Sequence, residues 1–168
     1  MNRILLIEKN TFIREALREI LHSRFPLLCI EEVSSYEEAR SSAGDFNPDV
    51  LILGLTEYEG LEIGIIRKLR EKYPAAAIVL FVDYDTEEYR KKAFLSGANH
   101  IISKELWTGR EILALMKTIL AAKEEGETGR AGDPEEMNSL PERRRKDGTG
   151  LVREREYLSH FPDRRHLH

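Results

Sequence analysis

The chain has 168 residues, 41% of them hydrophobic, which is enough for one good core but hardly two. Its 26 Lys and Arg against 30 Asp and Glu give a formal charge of −4, which excludes a global field drawing in nucleic acid or an acidic membrane. The single Cys29 cannot form an internal disulfide, so a reducing, cytoplasmic setting is the simplest expectation. Neither a signal peptide nor a membrane span is expected, because no apolar run approaches the roughly 18 residues a span needs.

Taken in chain order, two periodicities alternate. Residues 4–7 read as a short buried strand. A helix follows, with Ile13, Leu17, Ile20 and Leu21 on one face and Asn10 or Thr11 as its cap. Residues 27–33 read as the second strand, with Cys29 as a small buried hydrophobe. The second helix is short, 36–42, capped by Ser34 or Ser35. Residues 50–53 form a third apolar run, and Gly54 follows it. The third helix spans 61–73, with Ile65, Ile66 and Leu69 inward and Pro74 as its stop. A fourth strand over 78–82 leads to a helix over 86–95 that Gly97 ends. The fifth strand covers 100–102, and the last helix is expected over 106–122. Five strand–helix alternations argue for a parallel sheet with helices on both faces.

Beyond residue 123 the composition changes to dense charge, with Gly and Pro and few apolar residues. So little apolar surface cannot offset the entropy of ordering, so 124–168 is expected to be a disordered tail beside a 1–123 domain. Its basic run Arg143, Arg144, Arg145 and Lys146 is flanked by acids and reads as a solvated charge cluster. His160, His166 and His168 near the end carry little information.

The segments 4–10, 48–55, 60–62 and 96–104, in this order and spacing, resemble bacterial response-regulator receiver domains. The stretch Arg67-Lys68-Leu69-Arg70-Glu71-Lys72-Tyr73-Pro74 and the pair Gly97-Ala98 are similar to the NarL/LuxR-type subfamily, whose DNA-binding half is not visible here. The resemblance implies a flavodoxin-like, CheY-like doubly wound sheet of five parallel strands in the order 2-1-3-4-5.

It also implies a chemistry at the C-terminal mouth of the sheet. Two acids after the first strand and an acceptor Asp ending the third hold magnesium through oxygen ligands. Metal and a lysine offset the charge of the moving phosphoryl group. A Ser or Thr after the fourth strand binds the phosphate, and an aromatic on the fifth follows it inward.

This chain departs from nearly all of that pattern. Glu8 matches the first acid, but Lys9 stands in place of the second. Gly54 replaces the acceptor, Val82 the hydroxyl residue and Ile101 the aromatic switch, Glu8 matches with one methylene more, and Lys104 alone matches unchanged. Lys9 has two open readings: a stand-in for the metal cation, paired with Glu8, Glu57 or Asp83, or a solvated lysine without a set partner. Asp83 otherwise reads as a turn or capping residue.

No cofactor and no metal are therefore expected, and no enzyme, since neither a nucleophile–base pair nor a metal site is visible. The leading expectation is a phosphorylation-independent pseudo-receiver in signal transduction. It would contact a protein partner or a second copy through the last helix and strand face, where Phe94, Ile101 and Trp107 are candidates. Two alternatives are a DNA-linked regulator using the basic tail, with nucleic acid disfavoured by charge, and a small-molecule sensor using the emptied mouth.

Overall fold

The structure is a computed structural model that describes residues 1–42, 44–56 and 61–128. The segment 129–168, and with it all of the expected 124–168 tail except 124–128, lies outside the described residues, as do Glu57 and Glu59.

Ten elements alternate: β1 (Arg3–Ile7), α1 (Thr11–Arg24), β2 (Cys29–Val33), α2 (Tyr36–Ser42), β3 (Val50–Leu55), α3 (Leu61–Lys72), β4 (Ala77–Val82), α4 (Glu87–Ser96), β5 (His100–Ser103) and α5 (Gly109–Thr128). The strands form one parallel sheet in the order β2-β1-β3-β4-β5. The expected five-strand order is met.

The side-chain period of two along a strand builds both cores. Leu5 and Ile7 of β1 face one way with Leu51, Leu53, Ile78, Leu80 and Ile101, under Ala39 of α2, Ile66 and Leu69 of α3 and Ala93 of α4. Ile4 and Leu6 face the other way with Val50, Ile52, Val79 and Phe81, under Leu17 and Leu21 of α1 and Ile112, Met116, Ile119 and Leu120 of α5. The central strands β1, β3 and β4 are buried on both faces, hence their unbroken apolar runs.

Local signals set the helix ends. Asn10 Oδ1 accepts from Ile13 N and caps α1. Ser35 Oγ accepts from Glu38 N, and Glu38 reaches back to Ser34 N, a reciprocal pair that starts α2. Thr86 caps α4, and Gly97 ends it in the left-handed region at φ 116°.

The last helix differs from expectation. Leu106 and Trp107 precede it, and α5 begins at Gly109 and continues to Thr128. The start is fixed by a capping box: Thr108 Oγ1 accepts from Glu111 N, and Glu111 accepts from Thr108 N at 2.9 Å. The helix thus runs past the expected domain boundary at 123.

Arg70 ties the far end of the sheet together. Its guanidinium donates to the carbonyls of Gly97 and Ala76 and to Asn99 Oδ1, which also accepts from Ile78 N. Burial lowers the pKa of this guanidinium.

Candidate functional site

In a parallel sheet every strand delivers its last residues to the same edge, where ligands are bound in doubly wound folds. That edge brings Glu8 after β1, Gly54 near the end of β3, Val82 at the end of β4 and Lys104 after β5 to one place. Register fixes the set, with Gly54 beside Phe81, Leu55 beside Val82 and Val82 beside Ser103. The Lys104 N–H donates to Val82 O, which carries the edge strand past its last ladder residue.

Glu8 is the buried charge of this mouth, with 1% of its surface exposed. Its Oε1 accepts from Asn10 N at 2.8 Å, and its own carbonyl accepts from Arg14 at 2.7 Å. Its Oε2 lies 3.1 Å from Lys104 Nζ, whose side chain is only 5% exposed. The contact is an ion pair without hydrogen-bond alignment, since neither Oε2 nor Nζ has an aligned partner. Lys104 Nζ also lies 6.0 Å from the centroid of Phe81.

Gly54 lies directly beneath that carboxylate. A Cβ at Gly54 would fall 1.8 Å from Glu8 Oε2 and 2.6 Å from its Cδ. The glycine is not required by its backbone, because Gly97 is the one described glycine with positive φ. What leaves no room for a side chain at 54 is the Glu8 side chain itself.

The remaining positions separate. Lys9 is exposed and makes no ion pair among the described residues. The pairing of Lys9 with Glu8 is therefore corrected: the carboxylate turns inward to Lys104, where burial strengthens the attraction. Asp83 is half-buried at the turn after β4. Val82 is 3% exposed and apolar, offering no hydroxyl to a ligand.

The candidate contact residues also divide. Ile101 is fully buried in the core under α3 and α4, so its place on a contact surface is corrected. Phe94 is half-buried against that core, whereas Trp107 packs across the sheet, its ring edge-on to Phe81 at 5.4 Å. Residues missed by sequence reasoning, Leu95 on α4 and Leu106 after β5, are 87% and 51% exposed.

A magnesium ion does not fit these residues. Gly54 has no side-chain carboxylate, Lys9 brings a positive charge, and Glu8 already faces the Lys104 ammonium. Among the described residues no group of three or more His, Cys, Asp or Glu is placed to hold a metal. No helix of the described residues is long and apolar enough to cross a membrane.

A five-stranded parallel sheet of this order between two helical layers is the flavodoxin-like, CheY-like doubly wound fold. Residues 4–117 match the response regulator receiver domain family, and the chain belongs to it. It is 24% identical over 123 residues to the DNA-binding transcriptional activator DevR/DosR of Mycobacterium tuberculosis, covering 73% of this chain and 56% of that protein. It is 28% identical over 102 residues to the chemotaxis protein CheY of Halobacterium salinarum, covering 61% and 83%. The chain thus spans about half the length of the first of these relatives. Among solved structures it resembles a CheY-like receiver domain protein from Methanospirillum hungatei, with a TM-score of 0.65 at 18% identity over 75% of this chain and 98% of that one. It also resembles a LuxR family DNA-binding response regulator from Silicibacter pomeroyi, with a TM-score of 0.61 at 19% identity over 73% and 92%. At these identities the structural likeness speaks for the fold.

Proposed function

We propose that this receiver works without phosphorylation, as an interaction module in two-component signalling rather than as an enzyme. The observation that carries this reading is Gly54: the strand end that would present an acceptor carboxylate presents none, and Glu8 fills the space. Acyl-phosphate chemistry needs an acceptor oxygen and offset of the charge on the transferred group. Here the one buried lysine at the mouth is already paired with Glu8.

The read-out positions support the same reading. Val82 has no hydroxyl to draw toward a phosphate, and Ile101 is already packed inside. A mouth held by a buried ion pair suits a domain whose outer surface is presented continuously. We place the contact with a protein partner or a second copy on the side formed by α4, β5 and α5, where Phe94 and Trp107 are half-buried and Leu95 and Leu106 stand exposed. Tryptophan is enriched among the residues that anchor protein contacts, and Leu95 and Leu106 add exposed apolar area on this side.

The test is an amide NMR spectrum with magnesium and beryllofluoride added together. Unchanged signals for Glu8, Gly54 and Lys104 are expected. Saturable shifts at these three would overturn the reading.

A further inference from the structure

The mouth contains the parts of a charge pair assembled from an unusual pair of strands. The lysine comes from the end of β5, and its carboxylate comes from the end of β1 rather than from β3 between them. The two partners are 1% and 5% exposed in their side chains, so this pair is not a surface contact. Gly54 lies in β3 without a positive φ, and the three atoms nearest a Cβ there would all belong to the Glu8 side chain, Oε2 at 1.8 Å, Cδ at 2.6 Å and Cβ at 3.3 Å. A side chain at 54 therefore requires the Glu8 carboxylate to leave its position beside Lys104.

We propose that Glu8 is a built-in occupant of the mouth, a carboxylate that takes the volume vacated at Gly54 and locks Lys104 permanently. The inference deepens the phosphorylation-independent reading and rests on it for its meaning: the domain is held in one state by its own side chain instead of by an added group. Three features act as one unit. Asn10 N fixes one carboxylate oxygen at 2.8 Å, Lys104 holds the other at 3.1 Å, and glycine at 54 keeps the space open. Glu8 is a positioning residue here, acting through Lys104 on the end of β5. A buried pair of this kind is a poor source of stability but a good device for fixing one arrangement, because removing either partner strands the other charge.

The lock makes positions 8 and 54 mutually exclusive, which a double-mutant cycle measures directly. Gly54→Asp, Glu8→Ala and the double variant are compared with the wild-type full chain by urea unfolding. Each single change lowers stability, the first by displacing Glu8 and the second by leaving Lys104 unpaired. The double variant moves the carboxylate from β1 to β3 and recovers at least about tenfold in the unfolding constant relative to the sum of the singles, about 1.4 kcal/mol. Gly54→Ala, alone and with Glu8→Ala, separates volume from charge: the steric loss is relieved in the second background while the charge is not returned. Should Gly54→Asp fail to fold, the Gly54→Ala pair still reads the exclusion. A Lys104 side-chain ammonium signal in the NMR spectrum that is unmoved by Gly54→Ala, or additivity in both cycles, would overturn the lock. The beryllofluoride titration of the wild type is a separate reading, so loss of the lock and loss of the phosphorylation-independent function are told apart.

Discussion

The ammonium of Lys104 sits 6.0 Å from the centroid of the Phe81 ring, and that same ring takes Trp107 edge-on at 5.4 Å. The lysine is therefore bounded by a carboxylate on one side and by an aromatic ring on another, with 5% of its side chain exposed. In such surroundings the attraction between the two charges is stronger than it would be in water.

Removing the cation should therefore be costly. Lys104→Met leaves the Glu8 carboxylate buried without its counter-charge and should lower unfolding stability by about 3–5 kcal/mol. Combining it with Glu8→Leu should recover most of that loss, because two packed apolar side chains replace two buried charges. Urea midpoints of the three variants decide the point, and a Lys104→Met protein as stable as wild type would show that the pair is not formed in solution.

Restoring the acceptor alone should not restore the chemistry. Gly54→Asp supplies one oxygen ligand, but Lys9 remains a cation at the place of a second acid, and Val82 has no hydroxyl. Incubation with acetyl phosphate and magnesium should give no added phosphate by intact mass. Detectable labelling would mean that a metal binds despite Lys9.

At the opposite end of the sheet, Gly97 and Arg70 should prove inseparable. Gly97 has φ 116°, and a Cβ there would come within 2.8 Å of Arg70 Cγ. Gly97→Ala should cost about 1–3 kcal/mol through strain and displacement of the guanidinium. Arg70→Lys loses the planar fork that reaches Gly97 O, Ala76 O and Asn99 Oδ1 together, and should cost about 2 kcal/mol. Thermal unfolding of both variants and their double reads the coupling, and strict additivity would refute it.

Burial of the His100 imidazole holds its pKa below the ordinary value of 6.5. Below that value the unfolded chain binds more protons than the folded one, so the contribution of His100 is fully present above about 6.5 and is lost as pH falls toward the lowered folded value. The stability difference between wild type and His100→Asn should therefore shrink on acidification below about 6.5. A difference that is flat with pH would show that this histidine titrates alike in both states.

The sheet was legible because β1, β3 and β4 are buried on both faces and so read as unbroken apolar runs between helical stripes. The start of α5 was misread because Leu106 and Trp107 are apolar and extend the stripe, while the box formed by Thr108 and Glu111 marks the true first turn. The loss of an acceptor at Gly54 was visible as a missing side chain. The pairing of Glu8 with Lys104 was not, because it joins residues at opposite ends of the domain sequence and depends on which way one carboxylate turns. The sequence left Lys9 open between a partner of Glu8, Glu57 or Asp83 and a solvated lysine; Lys9 is exposed, and burial decides the pairing of Glu8 with Lys104.

The crowding of Glu8 over Gly54 also has a bearing on mutational history. A single change that reinstates an acid at 54 meets a carboxylate already in possession, and a single change that removes Glu8 strands a lysine. Either first step is expected to destabilise the fold, one by displacing the Glu8 carboxylate and the other by leaving Lys104 unpaired. A lock of this kind would act as a ratchet, released only when both residues change together.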